Sequence, residues 1–196
     1  MKAESKRELL VQAAASRFYR FGLSASSIAD VANDAGIPSG NVYYHFRSKD
    51  SLASAVQEHW QQRTEEALDA VDAEHGDAAS RLLAFLDQSE SNAPLYAKSG
   101  CPIAALSRDF RNGSPALQPL AGRIFEKQAD WLERQFNAFG LARRERSAAA
   151  WGILTVIQGG IGLAHATHSD VPLLIAIADA RGRVADLLSS HKRASS

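Results

Sequence analysis

The sequence predicts an all-α protein with a small N-terminal helix-turn-helix module of three helices and a larger C-terminal helical bundle, about nine helices in total. Two observations lead to this prediction. Apolar residues recur every three or four positions in almost every segment, and no segment alternates as a strand would. Glycine and proline residues also interrupt the pattern at intervals that suit helix ends. We expect residues 1–47 to form one domain and residues 48–196 the other.

The first three predicted helices are short and closely spaced. Residues 4–21 carry an apolar stripe that Gly22 ends. Ser26 or Ser27 is placed to cap the second helix, which Gly36 breaks. The third helix starts near Pro38 and stops before the next cap.

The C-terminal domain is expected to contain long helices separated by turns. A long helix is predicted over 48–75, and another runs to about residue 91. Two prolines and a glycine make residues 91–102 an irregular connection, and residues 111–115 form a turn. The remaining predicted helices cover 102–110, 115–139, 144–168 and 171–190.

A cytoplasmic location is the default expectation, and the composition does not decide whether the protein binds DNA. The chain has 196 residues, and its single cysteine, Cys101, excludes an intrachain disulfide. No run of about 18 apolar residues and no signal peptide is evident, so no membrane segment is expected. Lys and Arg number 22 against 22 Asp and Glu, a balance that does not by itself indicate nucleic-acid binding.

The third predicted helix carries the side chains best suited to DNA. Val42 and Phe46, four residues apart, would anchor it to its neighbours, because a helix this short is unstable alone. Hydroxyl, imidazole and ammonium groups around these anchors can donate to phosphates, and an asparagine suits a base edge. The predicted DNA-binding residues are Ser26, Ser27, Ser39, Gly40, Asn41, Tyr43, Tyr44, His45 and Lys49. Lys2, Lys6 and Arg7 would form a flexible basic arm. Alternatively, the two tyrosines are simply core aromatics.

The same region resembles the N-terminal domain of TetR-type transcriptional regulators over about residues 7–55. The resemblance rests on Phe18, Phe21-Gly22, Ser26 to Ala32, Ala35-Gly36-Ile37, Gly40, Val42 to Phe46 and Ser48 to Leu52. It implies a homodimeric repressor that binds a palindromic operator and releases it when a small molecule binds the C-terminal domain. The family's DNA-contacting positions fall on the nine residues named above. Pro38 departs from the pattern, because the family often has a polar residue there.

Glycines in a late helix suggest a dimer interface. Gly159, Gly160 and Gly162 each cost helix stability, which close approach of another helix would explain. With the apolar stripe of 171–188, they could form a four-helix interface with two helices from each subunit, as the resemblance also implies. The alternative is an ordinary intrachain core.

The effector pocket is expected among the middle helices, although each candidate also fits a plain core role. The predicted ligand-binding residues are Trp60, Phe85, Tyr96, Cys101, Leu106, Phe110, Trp131 and Gln158. Cys101 follows a glycine and lies near Lys98, so its thiol could be reactive. Some TetR-type regulators resemble this chain in that Gly-Cys step, and a subset of them respond to electrophiles or oxidants. A small buried side chain is the simpler reading of Cys101.

The predicted function is therefore a ligand-responsive transcriptional repressor that needs no cofactor or metal. One alternative is a helical interaction protein without DNA binding, which the neutral net charge would favour. Another is an enzyme with Cys101 as nucleophile, for which the sequence shows no Cys/His/Asp arrangement.

Overall fold

The computed structural model describes residues 5–194, apart from the side chains of residue 188 and residues 190–194. Within that range the chain is all-α, as predicted, with ten α-helices and one 3-10 turn at Gln118–Leu120. The helices are α1 Lys6–Phe21, α2 Ile28–Asp34, α3 Ser39–His45, α4 Lys49–Glu74, α5 Ala78–Ser91, α6 Ala93–Ser99, α7 Pro102–Arg111, α8 Arg123–Asn137, α9 Arg143–Thr167 and α10 Val171–Ala194.

Local capping explains where the first two helices begin and end. Ser5 accepts from the Glu8 N–H, and the Glu8 carboxylate accepts in return from the Ser5 N–H, a capping box that starts α1. Gly22 ends α1 with φ +82°, a conformation that glycine adopts without a steric cost. Ser27 and Asp30 form the equivalent box at the start of α2.

Two of the predicted segment assignments were wrong: one connection and the start of one helix. Residues 91–102 were expected to be irregular, but they contain α6, because Pro94 lies in the first turn of the helix, where the missing N–H costs nothing. The helix expected to start at residue 115 starts at Arg123. Pro119 lies in the 3-10 turn that precedes it, and a proline N–H is unavailable to extend an α-helix backwards.

The chain divides into two compact units. The first contains the residues up to Arg63 together with Pro102–Ile124, and the second contains Thr64–Cys101 and the residues from Phe125 onward. Leu106, Phe110 and Leu117 therefore belong to the same core as α1, α2, α3 and the start of α4. The domain boundary at residue 47 stays a prediction, and packing joins residues 102–124 to the N-terminal helices.

The second unit is organised around an aromatic pair and a carboxylate. Trp131 is 1% exposed and stacks on Phe85, with 5.7 Å between the ring centroids. The Trp131 indole Nε1 donates to Asp72 Oδ2 over 3.1 Å, and Arg81 Nε lies 3.4 Å from Asp72 Oδ1. Hydrogen bonds to a partly buried carboxylate fix the indole orientation, so α4, α5 and α8 are held in one arrangement.

At Gly160, α9 and α10 approach each other closely. A Cβ added there would lie 2.6 Å from the Ala176 Cβ and 3.1 Å from the Leu173 Cα. The close approach therefore occurs inside one chain. At Gly159 and Gly162 a Cβ would meet nothing within 4 Å.

Gly160→Ala is expected to lower the free energy of unfolding by about 1–3 kcal/mol, because backbone atoms of α10 would have to move. Gly159→Ala is the matched control, and its better helix propensity should raise stability by up to about 1 kcal/mol. Urea unfolding of the two variants measures the difference. Equal stability of both variants would show that the helices separate without cost.

Among the described residues, α9 is long and apolar enough to cross a membrane by length and composition alone. Core helices of soluble proteins have the same composition. Its buried residues include Ile153, Leu154, Ile157 and Ile161.

Candidate functional site

The α3 helix is anchored by two side chains and presents two others to solvent. Val42 is 0% exposed and Phe46 is 3% exposed, whereas Tyr43 is 58% and Tyr44 is 86% exposed. The predicted orientation of this helix is confirmed, and the two tyrosines are not core aromatics. Both rings are therefore accessible to another molecule.

The remaining side chains of α3 make a polar surface around Tyr44. His45 packs edge-on against the Tyr44 ring, with centroids 5.1 Å apart and an interplanar angle of 87°. Ser39 and Gly40 are exposed, and Asn41 and His45 are half-buried. A Cβ at Gly40 would meet nothing within 4 Å, so no contact inside this chain requires glycine there.

The start of α2 is fixed by a serine, a carboxylate and an arginine. The Ser27 N–H and hydroxyl donate to Asp30 Oδ2 over 2.9 and 2.8 Å, and Arg17 Nη2 lies 3.2 Å from the same oxygen. These interactions lower the pKa of Asp30, with the Ser27 backbone hydrogen bond as the main cause and the Ser27 hydroxyl next. Arg17 also pairs with Asp34, so one guanidinium joins α1 to both ends of α2.

The Asp30 arrangement predicts a pH dependence of stability. Because the folded pKa lies below the ordinary value of 3.8, the stabilisation is complete above 3.8 and is lost as the pH falls through the lower folded pKa. Asp30→Asn should therefore be less stable than wild type at about neutral pH, with the difference shrinking below the ordinary aspartate range. Urea midpoints measured across that range test this, and a difference that stays constant into acid would contradict it.

Two predicted DNA-binding residues turn inward. Ser26 is 2% exposed, and its hydroxyl donates to the Gly22 carbonyl over 2.8 Å. The Lys49 ammonium donates to the carbonyls of Leu23, Ser24 and Ser26 over 2.9, 3.4 and 3.1 Å. Both side chains hold the turn before α2. A DNA phosphate would have to compete with these backbone carbonyls for the Lys49 ammonium.

Sequence reasoning missed Asp109, a residue of α7 whose carboxylate binds the same turn. Its Oδ2 accepts from the Leu23 N–H over 2.7 Å. The two residues are 86 positions apart, and no local pattern connects them.

The predicted flexible basic arm was wrong for Lys6 and Arg7, because both residues lie in α1. The Arg7 guanidinium lies 5.3 Å from the Phe46 ring centroid, and Lys2 is outside the described residues.

The predicted ligand-binding residues divide between the two units. Leu106 and Phe110 are 5% and 0% exposed in the core of the first unit, and Trp60 packs against that core. Their burial is accounted for by packing against α1 and α4. Phe85 and Trp131 are stacked in the second unit, which also contains Tyr96, Cys101 and Gln158.

Cys101 and its neighbours are closely packed. Its side chain is 8% exposed. Gly100 precedes it with φ +76°, and a Cβ there would lie 3.3 Å from the His165 ring. Within the described residues no group of three or more His, Cys, Asp or Glu residues is arranged to hold a metal ion.

The described part of the chain contains a charged open groove in the second unit. Its volume is about 630 Å³, and it is lined by Asp130, Glu133, Arg134, Asn137 and Arg146. A smaller groove of about 180 Å³ lies between α1 and α4 in the first unit and includes Arg7, Glu58 and His59. Neither groove is lined by a predicted ligand-binding residue.

Comparison with protein families agrees with this geometry. The family of bacterial regulatory proteins of the tetR type matches residues 5–56. The C-terminal domain of LmrA/YxaF-like transcriptional regulators matches residues 78–179, more than half of the chain. The chain belongs to the TetR family of transcriptional regulators.

Individual relatives match the sequence of this chain either over most of its length or only over the N-terminal region. The regulator LmrA of Bacillus subtilis is 23% identical over 180 residues, which cover 89% of this chain and 94% of that protein. The repressor KstR2 of Mycolicibacterium smegmatis is 44% identical over 52 residues, so this TetR-family chain matches only 25% of its length.

Solved structures show the same fold. A TetR transcriptional regulator from Legionella pneumophila superposes with a TM-score of 0.82 at 21% identity, covering 93% of this chain and 99% of that chain. The reduced form of NemR from Escherichia coli gives a TM-score of 0.77 at 19% identity, covering 91% and 96%.

Proposed function

We propose that this TetR-family regulator is a cytoplasmic homodimeric repressor, and not an enzyme, that binds a palindromic operator and releases it when a small molecule binds. The observation that carries the proposal is the α3 surface, where Tyr43 and Tyr44 are exposed above the buried anchors Val42 and Phe46. The match to KstR2, a repressor by name, covers the same N-terminal region.

In this proposal some α3 side chains contact phosphates and others contact a base edge. The hydroxyls of Tyr43, Tyr44 and Ser39 donate to phosphate oxygens, and His45 supports the Tyr44 ring from the side. Asn41 reads a base edge, and Gly40 leaves room for close approach of the DNA backbone. Ser27 places the start of α2 near a phosphate, while Ser26 and Lys49 act by holding the preceding turn.

The dimer is proposed to form through α9 and α10. Among the described side chains of these helices, four large apolar ones are exposed in the single chain: Trp151 at 43%, Leu163 at 60%, Val171 at 54% and Ile175 at 66%. Open space beside Gly162 would let a helix of the second subunit approach closely. Burying such a surface in a two-fold interface would bring two α3 helices to neighbouring half-sites.

The effector is proposed to bind in the second unit, near the stacked Phe85 and Trp131 rings and the half-buried Tyr96 and Gln158. Aromatic side chains such as these suit a largely apolar small molecule. By linkage, a molecule that prefers the conformer unable to bind DNA lowers operator affinity by its differential binding free energy.

The test uses the full-length protein and a labelled duplex of the DNA upstream of its own gene. Fluorescence anisotropy should show specific binding that weakens steeply as salt rises, because phosphate contacts release counterions. A scrambled duplex of the same composition is the control. Equal binding to both duplexes would remove the repressor proposal and favour an interaction protein without sequence-specific DNA binding.

A second form of the signal is modification of Cys101 by an electrophile. Cys101 is 8% exposed and follows Gly100, where an added Cβ would lie 3.3 Å from the His165 ring, so a group added to the thiol would displace packed atoms. Treatment with N-ethylmaleimide should then weaken operator binding of wild type and leave Cys101→Ser unaffected. Unchanged binding by fully alkylated wild type would restrict the signal to reversible ligands.

A further inference from the structure

The turn between α1 and α2, residues 22–26, is held from two sides by charged groups. The Leu23 N–H donates to Asp109 Oδ2 over 2.7 Å, and the Leu23 carbonyl accepts from the Lys49 ammonium over 2.9 Å. The backbone of Leu23 therefore lies between a carboxylate and an ammonium group. Charge-assisted hydrogen bonds of this kind are about twice as strong as neutral ones.

The two charged residues come from distant parts of the chain. Lys49 is the first residue of α4, which continues beyond Arg63 into the second unit. Asp109 lies in α7, which starts at Pro102, where the chain returns to the first unit. Leu23 is therefore bound by one residue of α4, the helix that continues into the second unit, and by one residue of α7, the helix that follows the return of the chain to the first unit.

The geometry of the α1–α2 turn leaves little freedom around Asp109. Its side chain is 15% exposed, and Leu23 is 5% exposed. A Cβ on Gly22 would lie 3.4 Å from Asp109 Oδ2. The Ser26 hydroxyl donates to the Gly22 carbonyl within the same turn, and α2 begins two residues later. The Asp109 carboxylate therefore holds the turn that leads into α2, while Ser27 and Asp30 cap the helix itself.

The start of α2 in turn determines where α3 lies. The Ile37 N–H donates to the Ala32 carbonyl over 2.9 Å, and Gly36 adopts φ +64°, so the connection from α2 to α3 is tight. A shift of the α1–α2 turn would move α2 and α3 together. The exposed Tyr44 would move with them.

We propose that Asp109 is a positioning residue for operator binding, acting through the Leu23 N–H. The inference rests on the proposed DNA-binding role of α3. An acidic side chain ordinarily weakens DNA binding by repelling phosphates, so charge alone predicts tighter binding when Asp109 is replaced. Positioning predicts the opposite sign, and the two explanations can therefore be separated.

The test compares full-length Asp109→Leu and Asp109→Asn with wild type on the labelled duplex from upstream of the gene. Asp109→Leu leaves the Leu23 N–H without an acceptor and should bind about 10-fold to 100-fold more weakly. Asp109→Asn keeps an oxygen acceptor in the same place and should recover most of that loss. Asp87→Asn removes a carboxylate paired with Arg181 in the second unit and is the matched control for the lost charge.

Amide hydrogen exchange of the free protein supplies a measurement that does not depend on DNA. The Leu23 amide should exchange faster in Asp109→Leu, while the amides of α9 keep their protection. If wild type does not bind the duplex, the proposed function fails, and unchanged Leu23 exchange would separately overturn the positioning role. If wild type binds and Asp109→Leu binds equally well or better, the inference is wrong.

Discussion

Replacing Tyr44 with alanine is expected to weaken operator binding about 10-fold to 100-fold, because a hydrogen bond to a charged phosphate is lost. The fold should be unaffected, since the side chain is 86% exposed. We expect the free energy of unfolding to change by no more than about 0.5 kcal/mol. Anisotropy titration and urea unfolding of the same preparation measure the two effects.

Two further variants make the Tyr44 result interpretable. Tyr44→Phe keeps the ring and removes only the hydroxyl, so it should reproduce most of the loss if the phosphate contact is responsible. Val42→Ala empties a fully buried site in the same helix and should cost about 2 kcal/mol of stability. Loss of folding in Tyr44→Ala would contradict the assignment of this ring to the DNA surface.

Replacing Ile175 with glutamate is expected to dissociate the dimer and to lower operator affinity by at least about 100-fold. Ile175 is 66% exposed in the single chain, on the helix proposed to meet its two-fold mate. A carboxylate buried there on both subunits would be desolvated without a partner. A monomer would also lose the benefit of binding two half-sites at once. Analytical ultracentrifugation and anisotropy measure the two consequences.

Leu95→Glu is the matched control for the Ile175 variant. Leu95 is also a large apolar side chain in the second unit, 53% exposed on α6. The same change of charge and hydrophobicity there should leave the dimer and operator binding intact. A dimer that survives Ile175→Glu but not Leu95→Glu would place the interface elsewhere.

Much of the α1–α3 region could be predicted because its signals are local. The cap at Ser27 and its partner Asp30 are three residues apart, and the anchors Val42 and Phe46 are four apart. Interactions over such short separations depend on helix geometry alone, so the outward direction of Tyr44 follows from the sequence. The family resemblance was correct for the same reason, since it rests on those local residues.

The glycines of α9 show where a local pattern is ambiguous. Their clustering predicts close helix approach, and Gly160 does approach α10 closely within the chain. Gly159 and Gly162 have open space instead. Helix propensity is the same at all three positions, so only the packing of α10 distinguishes them.

The sequence by itself determined the all-α fold class, the helix-turn-helix and the anchored, outward-facing surface of α3, because caps, glycine breaks and apolar periodicity act over a few residues. Only the tertiary structure decided that residues 102–124 pack with the N-terminal helices, and that the Lys49 ammonium turns inward to backbone carbonyls. It also decided that Asp109 binds Leu23. Such contacts join residues far apart in the chain, and their energy depends on a distance that no local pattern encodes.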